Sequence, residues 1–282
     1  MTRPEAATGR RPASRSLADG GGVSATDAAG LLFTAEMYGV PLDQLAAALG
    51  VTSRRASDIV ARWVTRRQAQ ADRLGPGPRW VWLTKAGLAS CGLAYSAVPP
   101  ALPRLAHMRA VIAVRLALES VPAYRAAGGH WRSERRLRAR LGGRLGLRDH
   151  LPDGEVHWPD QAGDGPAPAW AGECWAIEAE LTPKTVSRTT AIMQELLSRT
   201  GDYGCAAAEA RVPGRPARHD RVVYLCSPAA ARTVSRARAT LGEEGARIEI
   251  RALPASGYLP APRRAATPRA GPRAALQEKR HP

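Results

Sequence analysis

The sequence predicts an α/β protein, α+β when taken over its whole length: a helical N-terminal unit followed by a mixed sheet with helices between its strands. Two patterns predict it. Apolar residues recur at helical spacing across 26–95, broken by glycine turns. Across 107–253, short apolar strands alternate with amphipathic helices. A third observation concerns one strand, 174–181. Alternate side chains take opposite faces there, so Trp175, Ile177, Ala179 and Leu181 share one face and Cys174, Ala176, Glu178 and Glu180 the other. Two acids on one face of a core strand cost energy unless a cation, a metal ion or a proton lies between them.

At 282 residues and 44% hydrophobic, the chain is long enough for two cores. Its formal net charge of +16 favours a polyanionic partner. The Ala, Arg, Gly and Pro bias of a GC-rich genome is the competing source of that charge. No apolar run approaches the roughly 20 residues of a membrane span, and the N-terminus lacks the apolar segment of a signal peptide. A cytoplasmic protein with no membrane partner is therefore expected. The cysteines Cys91, Cys174, Cys205 and Cys226 form no C-x-x-C pair and read as reduced thiols. His107, His130, His150 and His157 have no ligand spacing and read as core or surface residues.

Taken in order, 1–24 is basic and rich in Gly, Ala and Ser and reads as disordered, as does the Pro/Arg-rich stretch 255–282. Between them, 25–96 reads as a winged helix-turn-helix. Its first helix carries Leu31, Leu32 and Met37 and stops near Gly39. Pro41 opens a second helix, PLDQLAAALG. After the turn Gly50-Val51-Thr52, Ser53 caps a third, in which Ala56, Ile59, Val60 and Trp63 have core spacing. Two strands around Gly75-Pro76-Gly77-Pro78 form the wing, with Trp80 and Trp82 packed on the helices, and Thr84 caps a further helix. In this arrangement the third helix enters the major groove of double-stranded DNA with its N-terminal residues first. Ser53, Arg54, Arg55, Arg62, Arg66, Arg67, Arg73 and Arg79 fall on that helix and the wing. The alternative is a protein-contact module with solvated arginines. The three prolines of 96–103 suggest a linker to a second domain at 104–254. That domain holds an amphipathic helix at 107–119, a strand at 221–226, a helix at 229–241 closed by Gly242, and a last strand at 247–253.

A metal-dependent phosphodiester hydrolase needs carboxylates converging on Mg²⁺ and a cation near the scissile phosphate. Asp153 lies in a Pro-Asp-Gly turn entering a strand, and Glu178 and Glu180 share a face of the next. Lys184 follows at the start of a helix capped by Thr182, where backbone N–H groups favour an anion. Glu134 is a further carboxylate ahead of an arginine-rich run. Each has a structural alternative. Asp153 can serve the turn alone, with Asp160 as the true partner. Glu178 and Glu180 can lie on an exposed edge strand, paired with Arg188, and Glu134 can be a surface ion pair.

The segments HLPDG and WAIEAELTPK resemble the PD-(D/E)XK nuclease superfamily. With the winged helix, WRSER, HLPDGEV and AIEAELTPKTVSR, the chain is similar over roughly 26–253 to the actinobacterial replication-relaxation family of plasmid and mobile-element proteins. The resemblance implies a restriction-endonuclease-like mixed-sheet domain behind the winged helix, with Asp153 and Glu178 as the acids that bind Mg²⁺. It implies action on plasmid or mobile-element DNA in replication or transfer, with replication or transfer proteins as partners; a second copy of the chain is a further expected partner. Glu180 stands where the superfamily has its lysine, so either Lys184 supplies the cation or the domain binds DNA without cutting it. Two rival readings are a winged-helix transcription regulator, whose second domain dimerises or senses a ligand, and a non-catalytic replication accessory factor.

Overall fold

The computed structural model describes residues 24–141, 150–159, 170–198 and 219–255. Both stretches expected to be disordered lie outside these, apart from Ser24 and Ala255. The N-terminal unit runs α1 (Ala25–Glu36), β1 (Val40–Pro41), α2 (Leu42–Leu49), α3 (Ser53–Thr65), β2 (Ala69–Asp72), β3 (Trp80–Leu83) and α4 (Lys85–Ser90). Side-chain caps start three of the helices: Ser24 accepts from the Asp27 amide, Thr52 from the Arg55 amide and Thr84 from the Gly87 amide. The hydroxyl that caps α3 is thus Thr52, and Ser53 is the first helical residue. Adjacent hydroxyls compete for this role, and the one whose backbone stays extended takes it. Pro41 likewise sits at the cap of α2 rather than inside it, and with Val40 it pairs antiparallel to β3. The small sheet therefore has the order β1-β3-β2. Gly50, at φ 63°, closes α2 in the left-handed region that allows the tight turn into α3. Trp80 and Trp82 are buried as expected, and the Trp82 indole donates to Gln70 at 3.0 Å.

The second part runs through a 3-10 turn (Leu102–Arg104), α5 (Leu105–Ser120), α6 (Pro122–Ala126), β4 (His130–Ser133), α7 (Glu134–Leu141), β5 (Gly154–His157) and β6 (Cys174–Glu180). It continues with α8 (Val186–Ser198), β7 (Arg221–Cys226), α9 (Pro228–Ala239), a 3-10 turn (Gly242–Arg247) and β8 (Ile248–Ala252). The sheet order is β4-β5-β6-β7-β8, antiparallel through β6 and parallel from β6 to β8. The mixed α/β character read from the sequence is present. The end of the helix expected at 229–241 differs: Thr240 caps α9, and Gly242 opens the 3-10 turn that follows.

The alternation read in β6 divides the core. Trp175, Ile177 and Ala179 enter an apolar core shared with α5 and the N-terminal unit. Ala176 enters a second core with Val222 and Tyr224 of β7, Met193 and Leu196 of α8 and Val234 of α9.

The link between the two units is tighter than the three prolines suggested. One apolar core includes Leu31 of α1, Ile112 of α5 and Trp131 of β4. Arg135, 7% exposed, donates to the carbonyls of Ala35 and Ser96 at 2.7 and 2.6 Å. Its guanidinium lies 4.8 Å from the ring centres of both Tyr38 and Tyr95. Gln44 donates to the Arg109 carbonyl at 2.9 Å, and Arg115 pairs with Glu36 at 3.2 Å. The basic run after His130 therefore forms a short strand and a helix whose arginines fasten the units together. Among the described residues no helix is long and apolar enough to cross a membrane.

Candidate carboxylate and histidine site

Asp153 immediately precedes β5. The register Gly154↔Ile177 places it across from Glu178 on the same sheet face. Gly154 is required here by packing rather than by a turn, since a Cβ on it would lie 2.1 Å from the Trp131 indole. Asp153 accepts from the Ala179 amide at 2.8 Å and lies 2.7 Å from Nε2 of His107, on α5. Glu178 lies 2.9 Å from Nε2 of His150, whose own backbone N–H donates to Glu195 of α8 at 2.9 Å. Glu180 is paired with Lys184, four residues on. Glu178 and Glu180 are 5% and 6% exposed, and β6 is the central strand of the sheet. The exposed-edge reading with Arg188 is therefore wrong.

The electrostatic difficulty of this strand is resolved by giving each acid its own basic partner. Burial alone would raise the Asp153 carboxyl, but the charge and hydrogen bond of His107, the Ala179 amide and the charge of His150 hold it below its ordinary value. Glu178 remains above its ordinary value. Burial and the charge of Asp153 push it up, and His150 and Lys184 offset this only in part. Burial would lower both histidines, yet Asp153 lifts His107 and Glu178 lifts His150 above the usual 6.5. A carboxylate pair that still disfavours its own second charge fits a hard divalent cation, and Asp153 and Glu178 offer the oxygen ligands such an ion takes.

The remaining sequence-predicted residues fall around this pair. Lys184 precedes α8, and Thr185, not Thr182, caps the helix by accepting from the Arg188 amide at 3.2 Å. Glu134 donates its backbone N–H to the Asp153 carbonyl at 3.2 Å, but its side chain turns to Arg104 at 3.5 Å and Arg138 at 2.5 Å. It is an ion-pair residue. With His107, Arg104, Arg135 and Asp153 it lines a small cleft between the two units. Asp160 lies outside the described residues. In the N-terminal unit Ser53, Arg54, Arg55, Arg66, Arg67, Arg73 and Arg79 are exposed around α3 and the β2–β3 pair. Arg62 is instead half-buried, bonded to Asp27 at 3.0 Å, and Asp27 also accepts from the Trp63 indole at 3.0 Å.

A second buried group went unread in the sequence. Glu155 and His157 alternate on β5, and His157 lies opposite Cys174 in register. Glu155 sits 2.8 Å from Nε2 of His157 and 2.9 Å from Nε2 of His219. Burial opposes its ionisation, but the two histidine hydrogen bonds bring its pKa down to about 2. Ligand atoms of Glu155, Cys174 and His219 lie within 4.8 Å of one another, so this group can hold a metal ion. Its S, N and O donors do not match Mg²⁺. Cys174 is disulfide-bonded, which corrects the expectation of reduced thiols throughout, whereas Cys91 and Cys226 are free. The Glu-x-His alternation in GEVH was the only local signal for this group. His219 and Cys174 reach it through tertiary structure.

Fold and site together define a mixed α/β protein with a buried acid and histidine centre on its sheet. The chain matches no family model and no curated protein. It is similar in part to the crystal structure of RV1404 from Mycobacterium tuberculosis, at 20% identity and a TM-score of 0.24. That match covers 36% of this chain and 64% of the other, and at this score it carries no argument about fold or function.

The site predicts a pH dependence of stability. Because the folded-state values of His107 and His150 lie above 6.5, their contribution is complete below 6.5 and is lost as pH rises through the raised values. The urea midpoint of the wild type should therefore fall as pH rises above 6.5. The fall should be shallower in His107→Gln. Parallel pH profiles for the two proteins would contradict the pairing.

Proposed function

We propose that the protein binds double-stranded DNA through its N-terminal unit and acts on plasmid or mobile-element DNA in replication or transfer, with Mg²⁺-dependent phosphodiester cleavage at the sheet. The observation that carries this reading is the meeting of Asp153 and Glu178 on one face of adjacent antiparallel strands. Further support comes from the connection of β6 through α8 to the parallel strand β7, the arrangement expected of a PD-(D/E)XK-like domain. DNA binding is supported by the sequence of α2, glycine turn, α3 and wing, with exposed arginines at both ends of α3.

In this reading Asp153 and Glu178 hold the ion through their carboxylate oxygens. A bound Mg²⁺ supplies Lewis-acid polarisation of the phosphate and a water of lowered pKa. With the two carboxylates engaged by an ion, His107 and His150 would be released from these pairs, and the His107 ring beside Asp153 would be the base within reach of a water proton. Lys184, held by Glu180, stands beside Glu178 as the positive charge for the scissile phosphate. A second reading, a non-catalytic DNA-holding factor, is favoured by one observation: Lys184 is closed on Glu180, the residue in the place of the superfamily lysine.

Incubation of supercoiled plasmid with the protein and Mg²⁺ or Mn²⁺ tests cleavage. The wild type should nick, and Glu178→Ala should lower the rate about 100-fold, corresponding to the loss of several kcal/mol of charge stabilisation. Absence of nicking by the wild type favours the non-catalytic reading, and equal nicking by both proteins removes Glu178 from the chemistry.

DNA reading by α3 is tested separately. Arg54→Ala with Arg55→Ala should weaken duplex binding and reduce the slope of log affinity against log salt by about 2. An unchanged slope would place the contact elsewhere.

A further inference from the structure

We propose that in its thiol form the protein binds Zn²⁺ through Cys174, His219 and Glu155, with His157 as the adjacent fourth donor, at a centre separate from Asp153 and Glu178. The donor geometry carries the proposal. A carboxylate oxygen of Glu155, the Cys174 sulfur and a ring nitrogen of His219 all lie within 4.8 Å of one another. Glu155, His157 and His219 are buried to within 2% exposure and Cys174 completely. Nε2 of His157 lies 2.8 Å from Glu155 and 3.8 Å from the Cys174 sulfur. Thiolate, imidazole and carboxylate form the tetrahedral set that zinc takes, at about 2.0–2.3 Å from each donor.

A second observation points to a cation between these groups. Nδ1 of His219 lies 2.9 Å from the Leu196 carbonyl, and Nε2 lies 2.9 Å from Glu155. Both neighbours are acceptors. A neutral imidazole has one N–H, so it can donate to only one of them, and the other contact needs a second proton or a cation. A metal ion between Nε2 and the Glu155 carboxylate satisfies both contacts. The bond from Nδ1 to a carbonyl is the outer hydrogen bond that orients a metal-binding histidine.

The disulfide at Cys174 is the gate. A thiol or phosphine reductant delivers two electrons and two protons across the S–S bond to give two thiols, and the Cys174 thiol releases its proton on coordination. Disulfide and zinc occupancy of Cys174 are therefore mutually exclusive. The centre is independent of the proposed DNA cleavage, and its test does not use that activity.

Full-length protein is titrated with Co²⁺ as a spectroscopic substitute for Zn²⁺, before and after phosphine reduction, with folding followed by circular dichroism. The reduced wild type should take up one equivalent with a sulfur-to-cobalt charge-transfer band that Zn²⁺ displaces, and the oxidised protein should show no such band. Reduced Cys174→Ser should lose the band, and reduced Glu178→Ala should keep it. A reduced wild type without the band, folded or not, overturns the proposal. So does a band of full intensity in Cys174→Ser, which would place the metal on another cysteine, and so does loss of the band in a folded Glu178→Ala, which would merge the two centres.

Discussion

The structure depends on how the like charges of β6 are kept inside the protein. A carboxylate removed from water without a partner costs several kcal/mol, and a second beside it adds repulsion. Here the half-buried Asp153 and the buried Glu178 lie side by side, and the contacts with His107 and His150 make that tolerable. The consequences extend outward. His107 must be delivered by α5, so α5 must lie against the sheet. The carbonyl of Arg109 on the same helix accepts from Gln44 of α2, so the N-terminal unit is tied to the helix that completes the acid site. Arg135 and Arg115 strengthen that tie. The N-terminal helical unit and the unit that carries the paired acids are thus fastened by buried, charge-assisted hydrogen bonds rather than by a loose linker.

The same sheet face carries two centres of different chemistry. Towards the ends of β5 and β6 that bear Asp153 and Glu178, the donors are hard carboxylate oxygens suited to Mg²⁺. At the opposite ends, Glu155, His157, Cys174 and His219 form a mixed set with nitrogen and sulfur. Strand alternation makes this possible, because residues 153, 155 and 157 project to the face shared by 174, 176 and 178. Small Ala176 lies between the two sets. On the opposite face Val156, Trp175, Ile177 and Ala179 provide the apolar core that holds the strands in register.

Much of this was legible in the residues. The alternation of β6 is a matter of period, and the N-terminal helices with the β2–β3 pair followed from glycine turns and apolar spacing. Asp153 and Glu178 were legible as a pair because one opens a strand and the other lies in the middle of the next. Their partners were not. His107 is 46 residues from Asp153 and His150 is 28 from Glu178, and only the folded sheet brings them together. Arg135 looked like one basic residue in a run of them, since no local pattern separates a clasp from a solvated charge. The choice between Thr52 and Ser53 as cap turned on one residue's backbone angles, which composition does not encode. Cys174 looked ordinary because its neighbours in the buried group come from β5 and from the start of β7.

The most direct test is an NMR titration of the histidine ring protons in the wild type and in Asp153→Asn. If the acids are held by protonated histidines, His107 and His150 titrate above 6.5 in the wild type, and in the variant His107 moves down further than His150. A wild-type His107 that titrates at or below 6.5, or one unmoved by the loss of the Asp153 charge, would contradict the account.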